Sequence, residues 1–241
     1  MVAPLVISGL SVAHDKKIIF EKLSLDVAPG EIFGLIGVNG AGKTSLMKAA
    51  LSLLEPEEGD VRFFGVSSLA PESRRQVAYL PEKFRPPPAM KGAQFLRLVL
   101  GFHNLSFDRH HADSLARAID LDPAAIDRRI ATLSKGMAQK IGLLVTFLTG
   151  CPLLILDEPM SGLDPRARIM LKAQMQAYRA QGKAIFLSSH ILTDLEELCD
   201  RISVLHEGAL RFTGTPDALL QRHASASLEK AFLTLIAEQQ Q

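Results

Sequence analysis

Gly37-Val38-Asn39-Gly40-Ala41-Gly42-Lys43-Thr44 is the stretch on which the fold turns. Its spacing is that of a phosphate-binding loop, G-x-x-x-x-G-K-[ST]. The apolar run Ile32–Ile36 before it predicts a buried strand. Leu46, Ala50 and Leu53 after it predict one face of a helix. Glycines let consecutive backbone N–H groups turn inward around one anion. The positive end of the following helix faces the same point. In that geometry Lys43 reaches the β- and γ-phosphates of a nucleotide, and the Thr44 hydroxyl helps to hold Mg²⁺.

Working outward, residues 5–36 read as strands and turns, with Leu5-Val6-Ile7 opening one strand and Leu23–Val27 alternating as another. Asp15-Lys16-Lys17 and Pro29-Gly30 mark turns. Asp60–Phe64 and Val77–Leu80 are further strands. Pro86-Pro87-Pro88 is extended and non-helical, and suggests a connector into a different lobe. From Gly92 to Leu148 the pattern is helical, for example Phe95, Leu98, Val99 and Phe102; the Phe95, Val99 and Phe102 stripe reads as core, with a docking surface as the alternative. Strands return with Leu153–Leu156, continuous and apolar as in a strand covered on both faces. Asp164-Pro165 opens a helix that Gly182 closes. Ala184–Leu187 is the next strand, Leu192, Leu195 and Cys199 form a helix face, and Ile202–Leu205 with Ala209–Phe212 form a hairpin. The tail carries a last apolar face at Leu228, Phe232 and Leu235.

The bulk properties narrow the function classes. The 241 residues suffice for one large α/β domain or a domain with an inserted lobe. With 27 Lys and Arg against 26 Asp and Glu, the net charge of +1 gives no field that advertises nucleic acid or an anionic membrane. Cys151 and Cys199 lack metal-ligand spacing and read as buried thiols in a reducing compartment. The start, Met1-Val2-Ala3-Pro4, shows no signal-peptide pattern. The longest uncharged run, Ile141–Leu156, falls short of the ~20 residues of a bilayer span and is broken by Gly150 and Pro152. It reads as a helix end followed by a buried strand.

Four further stretches bear on the phosphate site. Asp157-Glu158 follows four apolar residues. An Asp at the end of a buried strand holds Mg²⁺, and the adjacent Glu orients and deprotonates a water. Two carboxylates placed there are costly without a cation nearby. Leu133-Ser134-Lys135-Gly136-Met137 opens a helix, Ser161-Gly162-Leu163-Asp164 follows the Asp-Glu pair, and Ser188-Ser189-His190 ends a strand.

As an ordered set these stretches resemble the ATP-binding subunit of an ATP-binding cassette (ABC) transporter, over about Leu5–Phe232. The family signature Leu-Ser-Gly-Gly-Gln keeps its Leu, Ser and second Gly here. The resemblance implies an α/β fold: a P-loop NTPase (RecA-like) core with an antiparallel β subdomain and an inserted α-helical subdomain. It implies one domain over 1–241: β lobe and P-loop core about 1–82, helical subdomain about 83–148, core again about 149–212, and a helical tail about 213–241. ATP and Mg²⁺ are the implied cofactors. Gly37, Asn39, Gly40, Ala41, Gly42, Lys43, Thr44 and Ser45 would bind ATP, with Glu158, His190 and Lys43 catalytic and Thr44 and Asp157 on the metal. Ser134 and Gly136 would complete the site of a second copy, across a dimer interface crossed by Ser161–Asp164.

Two positions depart from the family pattern. Glu82 stands where a Gln is usual, and is expected to act beside the metal. His14 stands where an aromatic ring stacks on adenine. The expected partners are a second copy (or a paired ABC subunit) and an integral membrane permease docking over Lys83–Met90, with no nucleic acid. The subunit would sit in the cytoplasm on the inner face of the membrane. The Lys-Gly-Met variant and Glu82 resemble exporters whose permease is a separate chain. The alternative is a soluble ABC ATPase acting on ribosomes or DNA. The single cassette, the lack of a long coiled-coil insertion and the balanced charge argue against it.

Overall fold

A computed structural model describes residues 2–14 and 17–238, with only the backbone of His14. In chain order the strands are β1 (Leu5–His14), β2 (Lys17–Val27), β3 (Ile32–Ile36), β4 (Glu58–Phe63), β5 (Val66–Ser67), β6 (Val77–Leu80), β7 (Leu153–Asp157), β8 (Ala184–Ser189), β9 (Arg201–His206) and β10 (Ala209–Gly214). The helices are α1 (Lys43–Ala50), α2 (Pro71–Arg74), α3 (Gly92–Phe102), α4 (Arg109–Ala118), α5 (Lys135–Leu148), α6 (Pro165–Arg179), α7 (Leu192–Leu198), α8 (Pro216–Arg222) and α9 (Leu228–Ala237). Short 3-10 turns occupy Pro123–Asp127 and Ile130–Thr132. The sequence pattern did not announce β5, α2 or α8.

Two sheets divide the strands. One is antiparallel, in the order β2-β1-β4-β5. The other runs β10-β9-β3-β8-β7-β6, parallel except for the β9–β10 hairpin. β3, β7 and β8 are buried along their whole length because helices cover one face and the small sheet covers the other. One core joins the two sheets through α1, with Phe20, Phe33, Phe63, Phe186 and Leu46 fully buried. The second core lies on the opposite face, where α5, α6, α7 and α9 pack. The charge-free run Ile141–Leu156 divides as expected between α5 and β7. Both cysteines are free and buried.

Two apolar faces end sooner than the sequence expectation. Leu53 does not belong to the α1 face. The helix stops at Ala50, and Ser52 takes the left-handed conformation (φ +56°). Ser52 N–H donates to Ala49 O and Leu53 N–H to Lys48 O, the paired bonds of a Schellman stop. Leu53 is left 64% exposed. In α3 the buried stripe is Ala93, Leu96 and Leu100 with Phe95, whereas Leu98 and Phe102 face outward. Phe102 is 76% exposed, which corrects its reading as core. Its place on the last helical position, past the face packed on α5, explains this.

The helical segment is tied to the core through charge. Lys140 on α5 donates to the backbone and carboxylate of Asp120, at 2.6 and 3.0 Å, and Arg166 on α6 reaches the same carboxylate at 3.2 Å. Asp164 caps α6 by accepting from Ala167 N–H at 3.0 Å, and Pro165 fills the first helical position. That bond is the main reason its carboxyl is held below the usual carboxylate range.

Candidate functional site

Three adjacent parallel strands, β3, β8 and β7, end at one edge of the large sheet. The phosphate loop follows β3, His190 follows β8, and Glu158 follows β7. In a doubly wound sheet this carboxyl edge is where ligands bind. Here it opens into a cleft of about 1190 Å³. Its phosphate end is formed by residues 38–45 with Glu158, His190 and Glu82. Its other end is formed by Lys17, Ile18 and Ile19 of β2 and by the β9–β10 turn.

The loop is built for an anion. Gly42 sits at the start of α1 with φ +103°, a conformation that costs a residue with a Cβ. No side chain caps the helix there, so its first-turn N–H groups point at the cleft without a partner from a capping residue. Gly37 is required for a different reason. A Cβ there would lie 2.7 Å from the Leu205 carbonyl oxygen of β9. Gly37→Ala should therefore push the loop off the sheet at a cost of about 1–3 kcal/mol. The expected result is roughly a tenfold loss of ATP affinity in a fluorescent-nucleotide titration.

Lys43 is buried and folds back over its own loop. Its Nζ donates to Gly37 O at 2.7 Å and lies 3.7 Å from Glu158 Oε1. The other Glu158 oxygen, Oε2, accepts from the His190 backbone N–H at 3.3 Å and pairs with His190 Nδ1 at 2.7 Å. A carboxylate only accepts, so Nδ1 carries the hydrogen. Glu158 itself has φ +50°, an unfavourable region for a residue with a side chain. Its N–H donates to Ser188 Oγ at 3.0 Å.

Asp157 is fully buried at the end of β7. Its Oδ1 accepts from Ser188 Oγ at 2.6 Å, and its Oδ2 has no hydrogen-bond partner. A buried carboxylate oxygen without a partner is costly, and a hard cation or its hydration water relieves that cost. The donor set therefore fits Mg²⁺: one open carboxylate oxygen, with the Thr44 hydroxyl lining the same cleft. Among the described residues no cluster of three His, Cys, Asp or Glu offers an alternative metal centre, and His110-His111 is exposed.

The profile of the family described as ABC transporter matches residues 20–161, more than half of the chain. The chain belongs to the ABC transporter family. The family's ATP-binding subunits bind ATP and hydrolyse it to drive transport. An uncharacterised ABC transporter ATP-binding protein of Nostoc is 36% identical over 86% of this chain. The chain spans 63% of that relative's own length. Nod factor export ATP-binding protein I of Burkholderia thailandensis and of Bradyrhizobium diazoefficiens are 32% and 33% identical over 91% of the chain, which spans 73% of each. A solved structure of the ATP-binding subunit of an ABC transporter superimposes with a TM-score of 0.89 at 33% identity, covering 98% of this chain and 100% of that one. Sheet order and coverage bear out the α/β fold with its antiparallel sheet and helical insertion.

In this ABC protein the cleft gathers Asn39, Gly40, Ala41, Gly42, Lys43, Thr44, Ser45, Glu158, His190 and Glu82 from the sequence-derived set. Gly37 and Asp157 lie beneath it. Ser134 and Gly136 do not line it. They stand at the start of α5, where the exposed Ser134 caps the helix by accepting from Met137 N–H at 3.2 Å. A Cβ at Gly136 would lie 3.0 Å from Gly162 O, so the ABC signature packs directly on the Ser161–Asp164 segment. The adenine-stacking expectation falls on the His14 side chain, and the turn on Asp15-Lys16. Both lie outside the described residues. Ser188 carries no local sequence signal of a role in the site. Ile18 and Ile19 gave no local signal, because only the meeting of the two sheets brings them to the cleft.

Proposed function

We propose that this chain is the energy-supplying subunit of an ABC exporter. Two copies close on two Mg-ATP and drive a separate membrane permease. The observation that carries this reading is the meeting, in one cleft, of an uncapped phosphate loop and a glutamate held by a histidine, with a buried carboxylate bearing one open oxygen next to that glutamate in the chain. ATP lies with its phosphates on residues 37–45. The loop N–H groups and Lys43 bind the β- and γ-phosphates, and Ser45 continues the contact along the helix N-terminus. Mg²⁺, held by Thr44 and Asp157 with Glu82 beside it, supplies charge neutralisation on the phosphates when bound. Water attacks the γ-phosphorus as the bond to the bridging oxygen breaks. Glu158 takes the proton of that water, and Lys43 and His190 steady the charge on the γ-phosphoryl group.

The exposed start of α5 supports the dimer, since Ser134 and Gly136 cannot serve the cleft of their own chain as it stands. Export is supported by the Lys-Gly-Met signature and by relatives whose names say export. No helix among the described residues is long and apolar enough to cross a membrane. In this reading a separate permease crosses the membrane, and the subunit works at the inner membrane face. Exposed Leu98 and Phe102 lie on α3, which meets the Lys83–Met90 connector through Phe95 and Phe84, and with Leu105 they offer that permease an apolar seat.

Complementation tests the composite site. Lys43→Ala and Ser134→Arg proteins should each be inactive alone. Mixed, they form heterodimers with one intact site out of two. Random pairing then restores about a quarter of wild-type ATPase activity, as two-fold symmetry requires. No recovery on mixing, with dimers verified on a sizing column, would overturn the shared-site reading.

A further inference from the structure

We infer that Ser188 is the positioning residue that sets both acidic groups of the site at once. This rests on the reading of Asp157 as metal ligand and Glu158 as base. Ser188 is the register partner of Asp157 across β7 and β8, so the two side chains stand on one face of neighbouring strands. Its hydroxyl is fully buried and works in both directions. It donates to Asp157 Oδ1 at 2.6 Å and accepts from the Glu158 backbone N–H at 3.0 Å.

Each bond has a separate consequence. The terminal torsion of an Asp is broad and two-fold, so packing alone does not choose which oxygen faces the phosphates. With Oδ1 taken by Ser188, only Oδ2 remains open, and it is the oxygen that has no protein partner. The second bond concerns the backbone. Asp157 is the last residue of β7 paired in the ladder, and Glu158 turns out of it with φ +50°. The N–H released by that turn finds the Ser188 hydroxyl instead of a ladder carbonyl. The turn then directs the Glu158 carboxylate to His190. A side chain of this size that both donates and accepts must be a hydroxyl. Alanine would satisfy neither group.

The test separates positioning from mere support of the fold. Nucleotide affinity is measured with a fluorescent ATP analogue, first in a chelator and then against added Mg²⁺, alongside the ATPase rate and the melting temperature. Ser188→Ala should bind metal-free nucleotide as wild type does. Its half-saturating Mg²⁺ concentration should rise about tenfold or more, in the range of substitutions behind a metal ligand. The kcat should fall by about tenfold or more at saturating Mg²⁺, and Ser188→Thr, which keeps the hydroxyl, should restore both. Wild-type Mg²⁺ dependence in Ser188→Ala would overturn the inference. So would an equal loss of metal-free and Mg²⁺-dependent binding that Ser188→Thr does not restore. If Ser188→Ala does not fold, Ser188→Val, matched in shape to Ser188→Thr but without the hydroxyl, carries the test, and a wild-type Mg²⁺ requirement there is equally fatal. A wild-type protein whose ATP turnover ignores Mg²⁺ would instead sink the underlying reading of Asp157.

Discussion

Glu158→Gln is expected to lower the ATPase rate by about 10³-fold while leaving ATP binding intact, within the range for loss of a general base. The amide keeps the volume and the oxygen that accepts from His190, so the left-handed turn and its bond to Ser188 persist. It loses the ability to take a proton from water. ATP should therefore accumulate on the protein, and with it the closed dimer. Size-exclusion chromatography with ATP and Mg²⁺ should show the variant at twice the monomer mass, and a single-turnover assay should show bound ATP unconverted. A variant that turns over at the wild-type rate would remove Glu158 from the role of base.

Lys43→Ala should weaken ATP binding as well as the chemistry. Nζ lies against the Gly37 carbonyl and within 3.7 Å of Glu158, poised over the loop. A charge-assisted bond of this kind contributes about 1.5–3 kcal/mol, roughly ten- to hundredfold in ATP affinity. The measurement is the ATP-induced rise in melting temperature. Saturating ligand at about 100 Kd stabilises a protein by ~2.7 kcal/mol, and at the same ATP concentration that increment should fall to about 0.4–1.4 kcal/mol in the variant. The nucleotide-free protein should also lose stability, because buried Glu158 is left with His190 as its side-chain partner. An undiminished thermal shift would show that the loop amides alone suffice.

The parts of this site that sequence made legible are those fixed by local geometry. The phosphate loop declares itself because glycine positions and a lysine must keep a set spacing around one anion. Asp157-Glu158 declares itself because carboxylates directly after a buried strand need a reason. What escaped depends on tertiary contacts. Ser188 resembles any strand-end serine until β7 is placed beside β8. The base end of the cleft is assembled from β2 and the β9–β10 turn, far apart in the chain. In α3 Phe95 and Val99 pack on the core as their spacing suggests, and Phe102 escapes because the helix runs on past the elements that cover this face, which only the packing against α5 decides. Leu53 fell outside its helix because a serine, with no glycine to announce it, adopted the left-handed stop.

The register of the large sheet has one more consequence. Leu35, Ser188 and Asp157 occupy a single row across β3, β8 and β7. Neighbouring strands stand ~4.8 Å apart, so β3 and β7 are about 10 Å apart along that row. The distance between the root of the phosphate loop and the carboxylate facing it is thus gauged by backbone hydrogen bonds. A change in the loops or lobes around the cleft leaves that gauge in place, because the sheet alone sets it.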